Sequence, residues 1–94
     1  GLNCALGAAQ MRPYLQVLAE HATCRVSCYP NAGLPDQMGE YRESPQVTAS
    51  LVGEFMQADL VNVVGGCCGT TPEHIAALAK EAEKHAPRQL PVIA

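Results

Sequence analysis

Apolar residues along this chain follow two rhythms, one helical and one of short uninterrupted runs. Met11, Tyr14, Leu15, Leu18 and Ala22 stand at i, i+3, i+4, i+7 and i+11, the spacing of one buried helix face. A helix is therefore expected from about Ala8 to Ala22, with Pro13 tolerable only in its first turn. The segment "CRVSCY", Cys24 to Tyr29, is β-prone and is closed by the turn formers of "PNAGLP", which reads as a strand followed by a loop. Ser44 and Pro45 suit an N-cap and first helical residue, after which Thr48, Leu51, Val52 and Phe55 mark one apolar face up to about Ala58. "LVNVV", Leu60 to Val64, reads as a continuous apolar run rather than an alternating one, as expected of a strand covered on both faces. Thr71 and Pro72 repeat the cap-and-proline signature, and Glu73 adds a first-turn carboxylate that suits the helix dipole. Ile75, Leu78, Ala79 and Ala82 supply the face of this third helix, which ends before Pro87. The tail "LPVIA" suits either a further strand or an exit linker.

Strands alternating with helices predict an α/β fold with a parallel sheet. Such a sheet needs helices on both faces or closure into a barrel, and about two and a half βα units supply neither easily. A (β/α)8 TIM barrel takes about 250 residues, so 94 residues match its last three units. Residues 1–94 are accordingly expected to be one incomplete piece of such a barrel. An opening at Gly1, in what reads as the tail of a strand, fits that expectation.

Composition narrows the function. With 48% hydrophobic residues and a net charge of −3, the chain is globular in type and lacks the basic footprint of a nucleic-acid binder. It contains no apolar run of the roughly 20 residues needed to cross a bilayer and no leader pattern, so the cytosol is the default compartment. The five cysteines, Cys4, Cys24, Cys28, Cys67 and Cys68, are odd in number, which points away from a disulfide framework and towards metal-binding or core thiols.

In βα units the segments that follow the strands gather at one end of the sheet, where sites of such folds are built. "NCALG", "PNAGLP" and "GGCCGTT" occupy those places, so Cys4, Asn31, Cys67 and Cys68 can meet. Zinc takes thiolates at about 2.3 Å in a tetrahedron, and a catalytic site keeps one position exchangeable. Neighbours on a straight strand point to opposite faces, so Gly65, Gly66 and Gly69 are expected to bend the chain for Cys67 and Cys68 to share an ion. The alternative is two thiols that simply pack at a strand end. Cys24 and Cys28 share a strand face but lie about 13 Å apart at the usual rise, and are read as core. His74, in the first turn of the third helix, suits a solvent-facing or capping role, and His21 and His85 lie near helix C-termini, where a partly cationic ring complements the dipole. "DQMGEYRE" reads as a solvated loop in which Glu40 and Tyr41 can line a pocket mouth.

Taken together and in order, "GLNCALG", "PNAGLP" and "GGCCGTTPEHI" resemble the C-terminal part of the homocysteine methyltransferase domain of cobalamin-dependent methionine synthase. Betaine and S-methylmethionine homocysteine methyltransferases share the cysteine triad, but "PNAGLP" and "GTTPEHI" look more like the methionine synthase branch. The resemblance implies a (β/α)8 barrel whose zinc is held by one cysteine after the sixth strand and two after the eighth, here Cys4, Cys67 and Cys68. It implies Asn31 as a residue beside the metal and substrate, and homocysteine as the substrate. Methylcobalamin would be the donor, bound by a module outside this chain, as would folate. A piece lacking the first five strands is expected to be inactive alone and to self-associate. A structural zinc module is the reading from a different class.

Overall fold

Strand and helix alternate as β1 (Leu2–Gly7), α1 (Ala8–His21), β2 (Ser27–Asn31), α2 (Pro45–Gln57), β3 (Val63–Val64) and α3 (Pro72–Ala82) in the computed structural model, which describes residues 1–92. The strands form one sheet in the order β1-β2-β3, both pairings parallel. The chain is thus a small α/β unit of the expected class, compatible with βα units of a larger fold. No helix among the described residues is long and apolar enough to cross a membrane.

Register decides which face of the sheet the helices cover. Leu2 pairs with Cys28 and Cys28 with Val64; Cys28 belongs to the core with Met11, Leu15, Val26, Val52, Phe55 and Leu78, and half-buried Leu2 and Val64 pack against it. The opposite face carries Asn3, Ser27, Tyr29 and Val63, of which Asn3 and Val63 are exposed. "LVNVV" was expected to be covered on both sides; Leu60 and Val61 are buried, but Val63 is 45% exposed because no described element lies over that face. The regular strand is also shorter than the apolar run, since Leu60 and Val61 still belong to the approach from α2.

Local chemistry sets the helices. Ser44 Oγ accepts the Val47 amide at 3.2 Å and Pro45 opens α2, as the cap-and-proline pattern predicts. Thr48, Val52 and Phe55 are buried and Leu51 packs at the margin of the core. In α1, Met11 and Leu15 are buried while Tyr14 is 64% exposed. Tyr14 sits about 60° from Met11 around the helix, at the rim of the apolar stripe, where nothing described covers it.

Helix α3 is turned relative to its expected face. His74 and Leu78 are buried and Ala77 packs against the core, whereas Ile75 is 46% exposed and Ala79 and Ala82 face outward. Two contacts fix that phase: His74 is held at both ring nitrogens, and Glu81 lies so close to α2 that a Cβ on Gly53 would meet its carboxylate at 2.6 Å. Cys24, expected in the core, is exposed, because β2 starts only at Ser27, where pairing to Val63 begins. Arg88, which no sequence pattern singles out, is buried and donates to the carbonyls of Ala19, Ala22 and Cys24, the first two being acceptors that the end of α1 leaves open. Leu90–Val92 form no strand; the remainder of the "LPVIA" tail, Ile93 and Ala94, lies outside the described residues.

Cys28 is the core thiol. It donates to Met11 Sδ at 3.3 Å, and burial pushes it up from 9.0 to about 12. A thiol raised in the folded state favours folding fully below its ordinary value, and that contribution is lost as pH climbs from 9.0 to about 12. At pH 8, iodoacetamide should label exposed Cys24 in the folded chain and reach Cys28 only in denaturant, as read by peptide mass spectrometry; equal labelling rates would contradict this packing.

Candidate metal centre

The cysteine pair is placed by the carboxyl end of β2. Beyond Val64 the chain keeps bonding to that strand, with Gly65 N donating to Cys28 O at 3.1 Å and Cys67 N to Pro30 O at 3.0 Å. Ala32 N then donates to Cys68 O at 2.9 Å, and the Cys68 amide donates to Asn31 Oδ1 at 3.0 Å. A turn closed by Thr70 N to Cys67 O at 3.0 Å removes the alternation that would send adjacent side chains apart. Its third residue, Gly69, has φ +80° and is covered by Tyr41, so both conformation and space require glycine there. Gly65 and Gly66 do not take the left-handed region; a Cβ on them would meet Tyr29 and Thr70.

Cys4 reaches the pair by a different device. Asn3 pairs with Tyr29 and Gly7 with Asn31, so four steps on β1 span two on β2. Cys4 and Ala5 absorb the excess at φ 61° and 65°, a bulge made of two left-handed residues that lack glycine's freedom. Without it Cys4 would share the helix-covered face with Leu2. With it the thiol points to the far end of β3, where Sγ of Cys4 lies 3.8 Å from Sγ of Cys68.

The result is one cluster: the sulfurs of Cys4, Cys67 and Cys68 all lie within 4.8 Å of one another. Four sulfurs at about 2.3 Å from a tetrahedral ion are about 3.8 Å apart, so the spacing of the three fits zinc with little movement. Cys4 and Cys67 are half-buried and Cys68 is exposed, which leaves one side of the cluster open.

Electrostatics agree with shared charge. Cys4 is held below the ordinary thiol value, chiefly by a hydrogen bond from Cys67 and then by the Ala5 amide. Cys67 is raised, first because it donates to Cys4 and next by burial. One thiolate thus forms ahead of its neighbour, and a divalent cation would remove the mutual penalty that keeps the second protonated. Burial raises the Tyr41 phenol, and negative charge on Cys68 adds to it, placing that ring at the edge of the cluster.

All four residues expected at the site come together there, although "NCALG", expected to follow the first strand, lies within β1 and Cys4 reaches the cluster through the bulge. Asn31 is 2% exposed, with its side-chain oxygen accepting the Cys68 amide, so it braces the cysteine turn. Tyr41 reaches the cluster, whereas Glu40 is exposed and pairs with Arg42. Among the histidines, His74 caps α3, since Thr71 accepts its amide and its ring accepts the Thr71 amide, but it is not solvent-facing. His85 pairs with Glu81 at 3.3 Å. The bulge at Cys4 had no sequence signal, because neither Cys4 nor Ala5 favours a positive φ.

A family model for homocysteine S-methyltransferase matches residues 1–82. The chain belongs to the homocysteine S-methyltransferase family, and the match covers β1 through α3, with all three clustered thiols inside it.

Proposed function

We propose that this chain holds zinc through Cys4, Cys67 and Cys68 and activates the thiol of homocysteine for methylation to methionine. The observation that carries the reading is the convergence of three sulfurs, from the bulge in β1 and the turn after β3, within 4.8 Å of one another in a member of this family. Zinc bound there supplies the charge that leaves a coordinated thiol deprotonated, where a free one titrates near 8.5 and is mostly protonated at neutral pH.

The chain's own residues do the rest. Three thiolate donors outweigh the charge of a divalent ion, so an incoming sulfur keeps enough electron density to attack a methyl group. The exposed side at Cys68 leaves room for that sulfur, which favours catalysis over a closed structural zinc module. Asn31 fixes the Cys68 turn and its side chain also lowers Cys4; we assign it the polar contact on the substrate side. Such free thiols suit a reducing compartment such as the cytosol.

Methylcobalamin is the proposed donor, because "PNAGLP" and "GTTPEHI" resemble the methionine synthase branch more than the betaine or S-methylmethionine enzymes. Residues 1–94 are read as the last βα units of a (β/α)8 barrel, strands six to eight. Support comes from three parallel strands in chain order, each followed by a helix, with Cys67 and Cys68 beyond the carboxyl end of β3 and Cys4 brought to them by the bulge within β1. The β1 and β3 edges and the exposed face at Val63 would then await further strands. Taken alone the chain should be inactive and self-associate through these edges.

Cys67→Ser should abolish stoichiometric zinc binding by metal analysis while leaving the Cys28 packing intact; unchanged stoichiometry would reject the assignment. In sedimentation velocity the isolated chain should run as oligomers, and a single monomeric species would contradict the open-edge reading.

A further inference from the structure

His74 is 5% exposed and belongs to no part of the thiol cluster, yet both of its ring nitrogens are engaged. The Thr71 amide can only donate, so Nδ1 accepts it, at 3.2 Å, and also lies 2.8 Å from Thr71 Oγ1. The ring proton therefore sits on Nε2, which donates to the Glu43 carbonyl at 2.7 Å. The first contact is a capping box with histidine in the place usually held by Glu or Gln. The second is no part of a cap: it reaches across to the segment between β2 and α2.

From Glu43 the bonding returns to the cysteines. Glu43 N donates to Ala32 O at 3.3 Å, and Ala32 N donates to Cys68 O at 2.9 Å. Three successive hydrogen bonds thus run from His74 to Cys68, and the chain from Cys68 through Thr71 to His74 closes the ring. The same segment is anchored on its other side by Thr48 Oγ1, which donates to the Glu43 carboxylate at 2.6 Å. Two residues before Glu43, Tyr41 covers Gly69 beside the thiols. A histidine serves here because one ring accepts at its near edge and donates at its far edge, a span that a carboxylate cannot bridge with donation.

We propose that His74 is a positioning residue for the thiol site, acting through the Glu43 carbonyl to hold the 32–43 segment and the Cys68 carbonyl in place. This rests on the metal reading above only for its effect on metal affinity; the clasp itself is a statement about the two loops. Two variants separate the contacts. His74→Glu retains the acceptor for the Thr71 amide and loses the donor to Glu43, whereas His74→Gln offers both.

In the protein carrying this chain, His74→Glu should speed amide hydrogen exchange at Ala32 and Glu43 about tenfold, the worth of one ordinary hydrogen bond, with Val52 and Leu78 unchanged. Cobalt(II), used as the probe for the thiol site and followed by its thiolate absorption, should bind His74→Glu several-fold more weakly, and His74→Gln should restore both readouts towards those of the parent. Parental exchange and cobalt affinity in His74→Glu would overturn the proposal. So would equal acceleration at Val52 and Leu78, or a His74→Gln as impaired as His74→Glu. If the parent itself bound no cobalt, the metal reading would fall, and the exchange pattern would still decide whether His74 clasps the loops.

Discussion

Everything at the thiol site depends on the continuation of β-type hydrogen bonding past the end of the short strand β3. Bonds from Gly65 and Cys67 to β2, and from Ala32 back to Cys68, weld the cysteine turn to its neighbour. The buried carboxamide of Asn31 accepts the Cys68 amide within that turn. Each such bond contributes about 0.5–1.5 kcal/mol, and together they hold the turn that aims two adjacent thiols the same way.

The first cysteine meets them at a cost. Two consecutive non-glycine residues in the left-handed region carry strain of order 1–3 kcal/mol each, at Cys4 and Ala5. Nothing in the core asks for that bulge, because Leu2 and Leu6 pack against it on either side. The strain is instead consistent with what a metal would repay: three sulfurs drawn to one point, with proton sharing among them in its absence. With one half braced and the other strained, binding of a metal there would be coupled to local folding.

Much of this was legible in the residues. The rhythm of apolar positions located all three helices, and Ser44–Pro45 and Thr71–Pro72 located two helix starts to the residue. The motifs also named the three thiols and Asn31 that the fold gathers. What periodicity missed were tertiary effects. The phase of α3 is set by His74 and by the close passage of Glu81 over Gly53, and neither is visible in a pattern of apolar letters. Spacing puts Tyr14 and Ile75 on buried helix faces and the apolar run puts Val63 in a covered strand, yet all three lie outside because no described element covers them. Arg88 carries no such signal because its buried guanidinium takes its acceptors from residues 19–24, far away in sequence. The family match extends over β1 to α3, so the legible motifs and the gathered site are the same residues.

Zinc K-edge X-ray absorption on the zinc-loaded protein tests the central claim most directly. It should report three sulfur neighbours at about 2.3 Å and one lighter atom, changing to four sulfurs when homocysteine is added. Fewer than three sulfurs, or a shell that homocysteine leaves unaltered, would contradict a site built to receive a fourth thiol.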